Sequence, residues 1–124
     1  MKITIYNYEA FHVKLNITHK DPESTKQVIL NKGEQTTIKD PDQLTMQAIL
    51  DPESSPGQPL QWYVNFDGSS KKMTVCSLEN PYVYPSFLSL IPLIIGDIKM
   101  KPSGGIFNIG DSTEVPVVFG KKES

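Results

Sequence analysis

The sequence predicts an all-β fold: a single-domain antiparallel β-sandwich of about seven to nine strands. Three observations predict it. Apolar and polar residues alternate with a period of two along most of the chain. Turn-forming residues recur at intervals of roughly eight to twelve positions. The ten prolines suit turns and sheet edges and exclude long helices, and no helical period competes. At 124 residues the chain buries about two-thirds of its unfolded surface, enough to stand without metals or disulfides. The sandwich is expected to take residues 1–120, with 121–124 as a flexible C-terminal tail.

The elements follow in order. A first, less regular strand fits residues 2–6. In FHVKLNITH, residues 11–19, Phe11, Val13, Leu15 and Ile17 share one face and His12, Lys14, Asn16 and Thr18 the other. Asp-Pro-Glu-Ser at 21–24 carries Asp and Pro where a type I turn wants them; it recurs at 51–54, and Asp-Pro-Asp stands at 40–42. Further strands fit 27–31 and 35–39, joined by Asn31-Lys32-Gly33-Glu34, which reads as a hairpin loop. LTMQAIL, residues 44–50, puts Leu44, Met46, Ala48 and Leu50 together. LQWYVNFD, residues 60–67, turns Leu60, Trp62, Val64 and Phe66 one way and Gln61, Tyr63, Asn65 and Asp67 the other. Asp67-Gly68-Ser69-Ser70 reads as a hairpin loop leading into a strand at 72–78. DIKMK, residues 97–101, pairs Ile98 with Met100, and Val115, Val117 and Phe119 close the series.

Residues 81–96 carry no charge. The run is short for a membrane-spanning helix and is broken by Pro81, Pro85 and Pro92. Large apolar residues fall on both parities from Phe87 to Ile95, which means cover on both sides. The expectation is an apolar loop or plug, or an edge strand broken at Pro92 and resuming at Leu93. The alternative is an exposed surface that serves as a homo-oligomer seam, a partner groove or a lipid-dipping loop.

Composition narrows the function. Net charge is −2, and all twelve basic residues are lysine. Arginine is the bidentate reader of phosphate and guanine, so a chain without it and without a basic stripe is not expected to bind nucleic acid. A lone cysteine, Cys76, allows no internal disulfide; it is expected as a small, buried or half-buried hydrophobe. His12 and His19 fall on opposite parities and stand near no nucleophile, so no catalytic constellation is legible. KPSGGIFNIGDST lacks the Gly-Lys-Ser/Thr of a phosphate loop. No cofactor and no structural zinc site is expected. The N-terminal stretch has no apolar h-region, so a cytoplasmic protein, or one exported without a cleavable signal, is expected.

Acidic loop residues, among them Asp21, Asp40, Asp51, Asp67 and Asp111, leave calcium as the one metal to consider. Asn80-Pro81-Tyr82-Val83 resembles the Asp-Pro-Tyr-Val tetrapeptide of C2 domains, calcium-dependent lipid-binding sandwiches of about this length. The Asp is missing and the surroundings differ, so the family is not assigned on it.

What remains is a binding surface. Tyr63 shares a polar strand face with Asn65 and Asp67, a ring beside an amide and a carboxylate, as a sugar or peptide surface requires. Tyr82, Tyr84 and Phe87 could extend it. The functional expectation is a non-enzymatic binding or interaction module that recognises a protein or glycan partner through a sheet face or end loops. The alternative is a membrane-associating sandwich, calcium-dependent or not, using 81–96; an enzyme with a site assembled from distant loops ranks third.

Overall fold

The computed structural model describes residues 1–20, 23–50, 60–77, 93–100 and 104–121. Among them, the strands are β1 (Lys2–Asn7), β2 (Val13–Lys20), β3 (Glu23–Leu30), β4 (Gln35–Lys39), β5 (Gln43–Leu50), β6 (Leu60–Asp67), β7 (Lys72–Ser77), β8 (Leu93–Ile95), β9 (Ile98–Lys99), β10 (Gly105–Asn108) and β11 (Glu114–Phe119). They form a five-stranded sheet, β4-β1-β11-β8-β9, and a six-stranded sheet, β10-β7-β6-β5-β2-β3. The fold is the all-β sandwich that the alternation predicts. It has more strands than the expected seven to nine because β8 and β10 span only three and four residues, too few to show a period. It also contains one parallel pair, β1 with β11, among antiparallel neighbours.

The core lies between the sheets. Ile3, Ile5, Leu93, Ile95, Val115, Val117 and Phe119 come from one side. Val13, Leu15, Ile17, Met46, Trp62, Val64, Phe66, Met73 and Val75 come from the other, all buried. Fully burying one such side chain is worth about 1.5–3 kcal/mol, so parity in the sequence becomes the force that stacks the sheets.

Asn7 ties the two layers together. It stands at the end of β1 and is 0% exposed. Its Nδ2 donates to Phe11 O at 2.8 Å and to Leu30 O at 2.9 Å, and its Oδ1 accepts from Glu9 N at 2.9 Å. The main chain adds Asn7 N to Glu34 O and Gly33 N to Asn7 O. A buried amide is tolerable only because its donors and acceptor are all used. This residue gave no signal in the sequence.

Three local expectations change. The turn at 31–34 is closed by Glu34 N to Asn31 O, with Gly33 at φ 83°, but it is not a hairpin loop: β3 and β4 belong to different sheets. Phe11 packs against the core yet lies before β2, because its carbonyl is taken by Asn7. Ile98 pairs with Ile95, and Met100 N bonds Leu93 O, so their parity is as read. Only Met100 is buried; Ile98 overhangs at the sheet edge, 52% exposed.

Pro116 sits in a central strand for a geometric reason. Its carbonyl accepts from Gly96 N on the β8 side, and the nitrogen and carbonyl of one strand residue face the same way. The missing donor therefore points where β8 has already ended at Ile95. Of the run 81–96, Leu93 and Ile95 are buried and β8 begins at Leu93. Residues 81–92 lie outside the described residues, and so do 51–59, with the second Asp-Pro-Glu-Ser turn, and 122–124. Among the described residues no helix is long and apolar enough to cross a membrane.

Candidate binding face and cleft

The six-stranded sheet turns a regular polar surface outward. Register sets its residues in rows across the strands. One row runs Gln27, Asn16, Gln47, Tyr63, Cys76. The next runs Thr25, Thr18, Thr45, Asn65, Thr74, Ile106. A third places Gln43, Asp67, Lys72 and Asn108 in line, with Lys20 one step beyond the pair His19–Leu44. Neighbouring strands stand about 4.8 Å apart, which brings such side chains within reach of one another.

They bond along the rows. Gln27 Nε2 donates to Asn16 Oδ1 and Asn16 Nδ2 to Gln47 Oε1, both at 3.4 Å, and Gln47 Nε2 reaches diagonally to Gln61 Oε1 at 2.6 Å. The hydroxyls of Thr18 and Thr25 lie 3.2 Å apart, and Thr45 Oγ1 donates to Asn65 Oδ1 at 2.8 Å. These bonds fix the rotamers of the face before any ligand arrives.

At one end of this face lies a cleft of about 280 Å³. Its polar lining comes from Lys20 on β2, Gln43 and Thr45 on β5, and Asn65 and Asp67 on β6; Ser70, Lys72, Thr74 and Ile106 close the far side. The β6–β7 hairpin shapes that end. Asp67 Oδ1 accepts from Ser69 N at 2.9 Å, Ser69 Oγ at 2.7 Å and Gln43 Nε2 at 2.8 Å. The first two bonds make an Asx turn. The Ser69 hydroxyl, then the Gln43 amide and the Ser69 backbone N–H, hold the Asp67 carboxyl far below the usual carboxylate range. Gly68 N donates to Asp42 O at 2.6 Å, and a Cβ on Gly68 would stand 2.6 Å from that oxygen, so only glycine lets the turn lie against the β4–β5 connection.

The sequence-predicted residues fall as follows. Asn65 and Asp67 line the cleft. Tyr63 is on the same face, one row away, opposite Cys76. Tyr82, Tyr84 and Phe87 lie outside the described residues. Cys76 is exposed, not buried or half-buried as expected: Met73 and Val75 take the inward parity of β7, so residue 76 must face out. His12 precedes β2 and His19 has inward parity near its end. Neither is in the lining of the cleft, and neither is Cys76. A smaller cleft of about 150 Å³ opens between Ile95, Phe107, Ile109, Val115 and Pro116, and its Glu114 is held by Lys2 at 3.2 Å. Among the described residues no group of three His, Cys, Asp or Glu is placed to hold a metal. Sequence reasoning missed Lys20, Gln43, Lys72 and Ile106. They are brought to Asp67 by register, and only the Asp-Gly-Ser-Ser turn signalled that something was held there.

An unequal two-sheet sandwich is thus the class that the fold defines. No family model and no curated protein matches the sequence. Solved structures share the architecture. The protein elicitor MoHrip2 from Magnaporthe oryzae superposes with a TM-score of 0.60 at 10% identity, over 98% of this chain and 99% of that one. The thaumatin-like xylanase inhibitor TLXI gives a TM-score of 0.53 at 11% identity, over 94% and 97%. At such identities the likeness is one of fold.

Proposed function

We propose that the protein is a binding module without catalytic chemistry, which takes a glycan on the outer face of the six-stranded sheet and anchors it in the cleft. The observation that carries this reading is the set of outward amides and hydroxyls, already bonded along rows, that ends at a walled cleft. Sugar hydroxyls donate and accept, and so do Asn, Gln, Ser and Thr; a face whose rotamers are fixed loses less entropy on binding. Tyr63 adds a ring within the first row.

Shift mapping by two-dimensional NMR against an oligosaccharide panel tests it. Resonances of Thr45, Asn65, Asp67 and Thr74 are expected to move, and the double change Thr45→Ala with Asn65→Ala to weaken binding about tenfold or more. Shifts confined to the five-stranded sheet would overturn it.

A protein partner is the second reading, favoured by Ile106, which is 71% exposed at the cleft rim and suited to an apolar anchor. One structural neighbour is by name an inhibitor of a xylanase, which agrees with that reading on fold alone. Ile106→Asp would abolish capture of a protein partner and leave oligosaccharide binding in the polar part of the cleft.

A further inference from the structure

We infer that the glycan is an acidic one, a short oligosaccharide bearing carboxylate or sulfate groups held by Lys20 and Lys72. The inference rests on the proposed glycan reading and deepens it. It starts from a mismatch between the whole protein and the cleft. The chain is net negative, yet the charged side chains of the cleft are two lysines and one aspartate.

The aspartate does not cancel its neighbours in the usual way. Lys72 stands opposite Asp67 in register. Even so, Asp67 Oδ1 accepts from Gln43 and Ser69, and no ion pair joins Asp67 to Lys72. Among the described residues the only lysine side chain in an ion pair is that of Lys2, on the other sheet. Neutral donors thus hold the carboxylate in the turn, and among the described residues neither ammonium group at the cleft is ion-paired. An ammonium with three donors and no acceptor is most strongly satisfied by an anion.

Position adds a second constraint. Lys20 is on β2 and Lys72 on β7, with β5 and β6 between them. Three strand spacings place their backbones about 14 Å apart. A ligand lying across the strands can span that distance, with acidic groups towards its ends and hydroxyls over Gln43, Thr45 and Asn65. The chain has no arginine, so recognition is by point charge and not by a planar fork; it selects for the position of charge along the ligand more than for the geometry of the acid. Carboxylate and sulfate are therefore both admitted.

The test is calorimetry at low ionic strength with three probes: trigalacturonate, its fully methyl-esterified form, and a sulfated galactose trisaccharide. Trigalacturonate, the sulfated probe or both are expected to bind, and the neutral ester to bind at least about tenfold more weakly. Raising the salt should weaken the acidic probes and spare the ester. Lys20→Met and Lys72→Met should each lower acidic-probe affinity about tenfold, whereas Lys99→Met, exposed on the other sheet, should leave it unchanged. Equal binding of ester and acid, with the lysine variants silent and shifts still at the cleft, would overturn the acidic preference and leave the glycan reading standing. So would an equal loss in Lys99→Met, which would make the effect one of net charge. Absence of binding by every probe, together with unmoved cleft resonances across the oligosaccharide panel, would sink both.

Discussion

The two sheets share one core but turn different surfaces outward. On the six-stranded sheet the outward positions of β2, β5 and β6 are Lys, Asn, Thr, Gln and Asp, with Ile49 and Tyr63 as the apolar members. On the five-stranded sheet Tyr6, Ile94, Pro116 and Val118 face out, all half-buried, Thr4 is buried, and Tyr6 stacks on Tyr8 at 5.9 Å. The sequence carries this contrast. EVPVVF is apolar on both parities after Glu114, as strands covered on both faces are; VKLNITHK and QLTMQAIL alternate cleanly, as strands with one wet face do. The lesson is that clean alternation marks more than a strand. It marks a face turned to water.

The comparison can be broken first at the joint between the sheets. Asn7→Ala is expected to lower unfolding free energy by about 2–4 kcal/mol in urea, since it strands the carbonyls of Phe11 and Leu30 and the N–H of Glu9. A loss below about 1 kcal/mol would show that the layers are held by apolar contact alone. Next, one acidic side chain on each outer face should separate them. Val118→Asp should cost about 1–3 kcal/mol, because that position is half-buried among apolar neighbours. Thr18→Asp should stay within about 0.5 kcal/mol. Equal costs would erase the distinction.

A third pair of changes reads the sheets by pH. Glu9 follows β1 and its side chain lies against Gly120; burial raises its carboxyl above the ordinary 4.5, with Lys32 opposing. The folded state then holds that proton more tightly than the unfolded state, so stability falls as pH rises upward from about 4.5. Glu9→Gln should remove this decline. Asp67 has the opposite sign. Its hydrogen bonds lower its carboxyl from the ordinary 3.8, so its contribution is full above that pH and is lost as pH falls below it. Asp67→Asn should flatten the acid limb of a melting-temperature profile. The smallest effect is chemical. Cys76, exposed on the wet face, should take one equivalent of a thiol reagent in the native state with little change in melting temperature. A silent thiol would mean that this part of the face is covered.

Much of the fold was legible because parity needs only neighbours in sequence: Val13 to Ile17, Leu44 to Leu50 and Trp62 to Phe66 are inward as read. At the cleft, Asn65 and Asp67 could be grouped in the sequence because they share a strand. Lys20, Gln43 and Lys72 could not, because they meet Asp67 only through cross-strand register, and a one-residue slip would bring others there. Asn7 was hidden for another reason. A buried amide looks in sequence like any polar residue near a turn, and what it does is decided by carbonyls that the fold brings to it. Ile98 shows the converse: right parity, wrong burial, because a sheet edge can overhang what lies beneath it.

The side-by-side placement of β1 and β11 reaches beyond the native state. Lys2 stands opposite Glu114, so the centre of the five-stranded sheet is completed only by a segment made long after β1. On the ribosome, Ile3 and Ile5 must wait with one flank open while the β2–β3 and β5–β6–β7 ladders can already zip. A nascent chain arrested before Glu114 would carry a ready-made adhesive edge, and crosslinking should find that edge held by a chaperone.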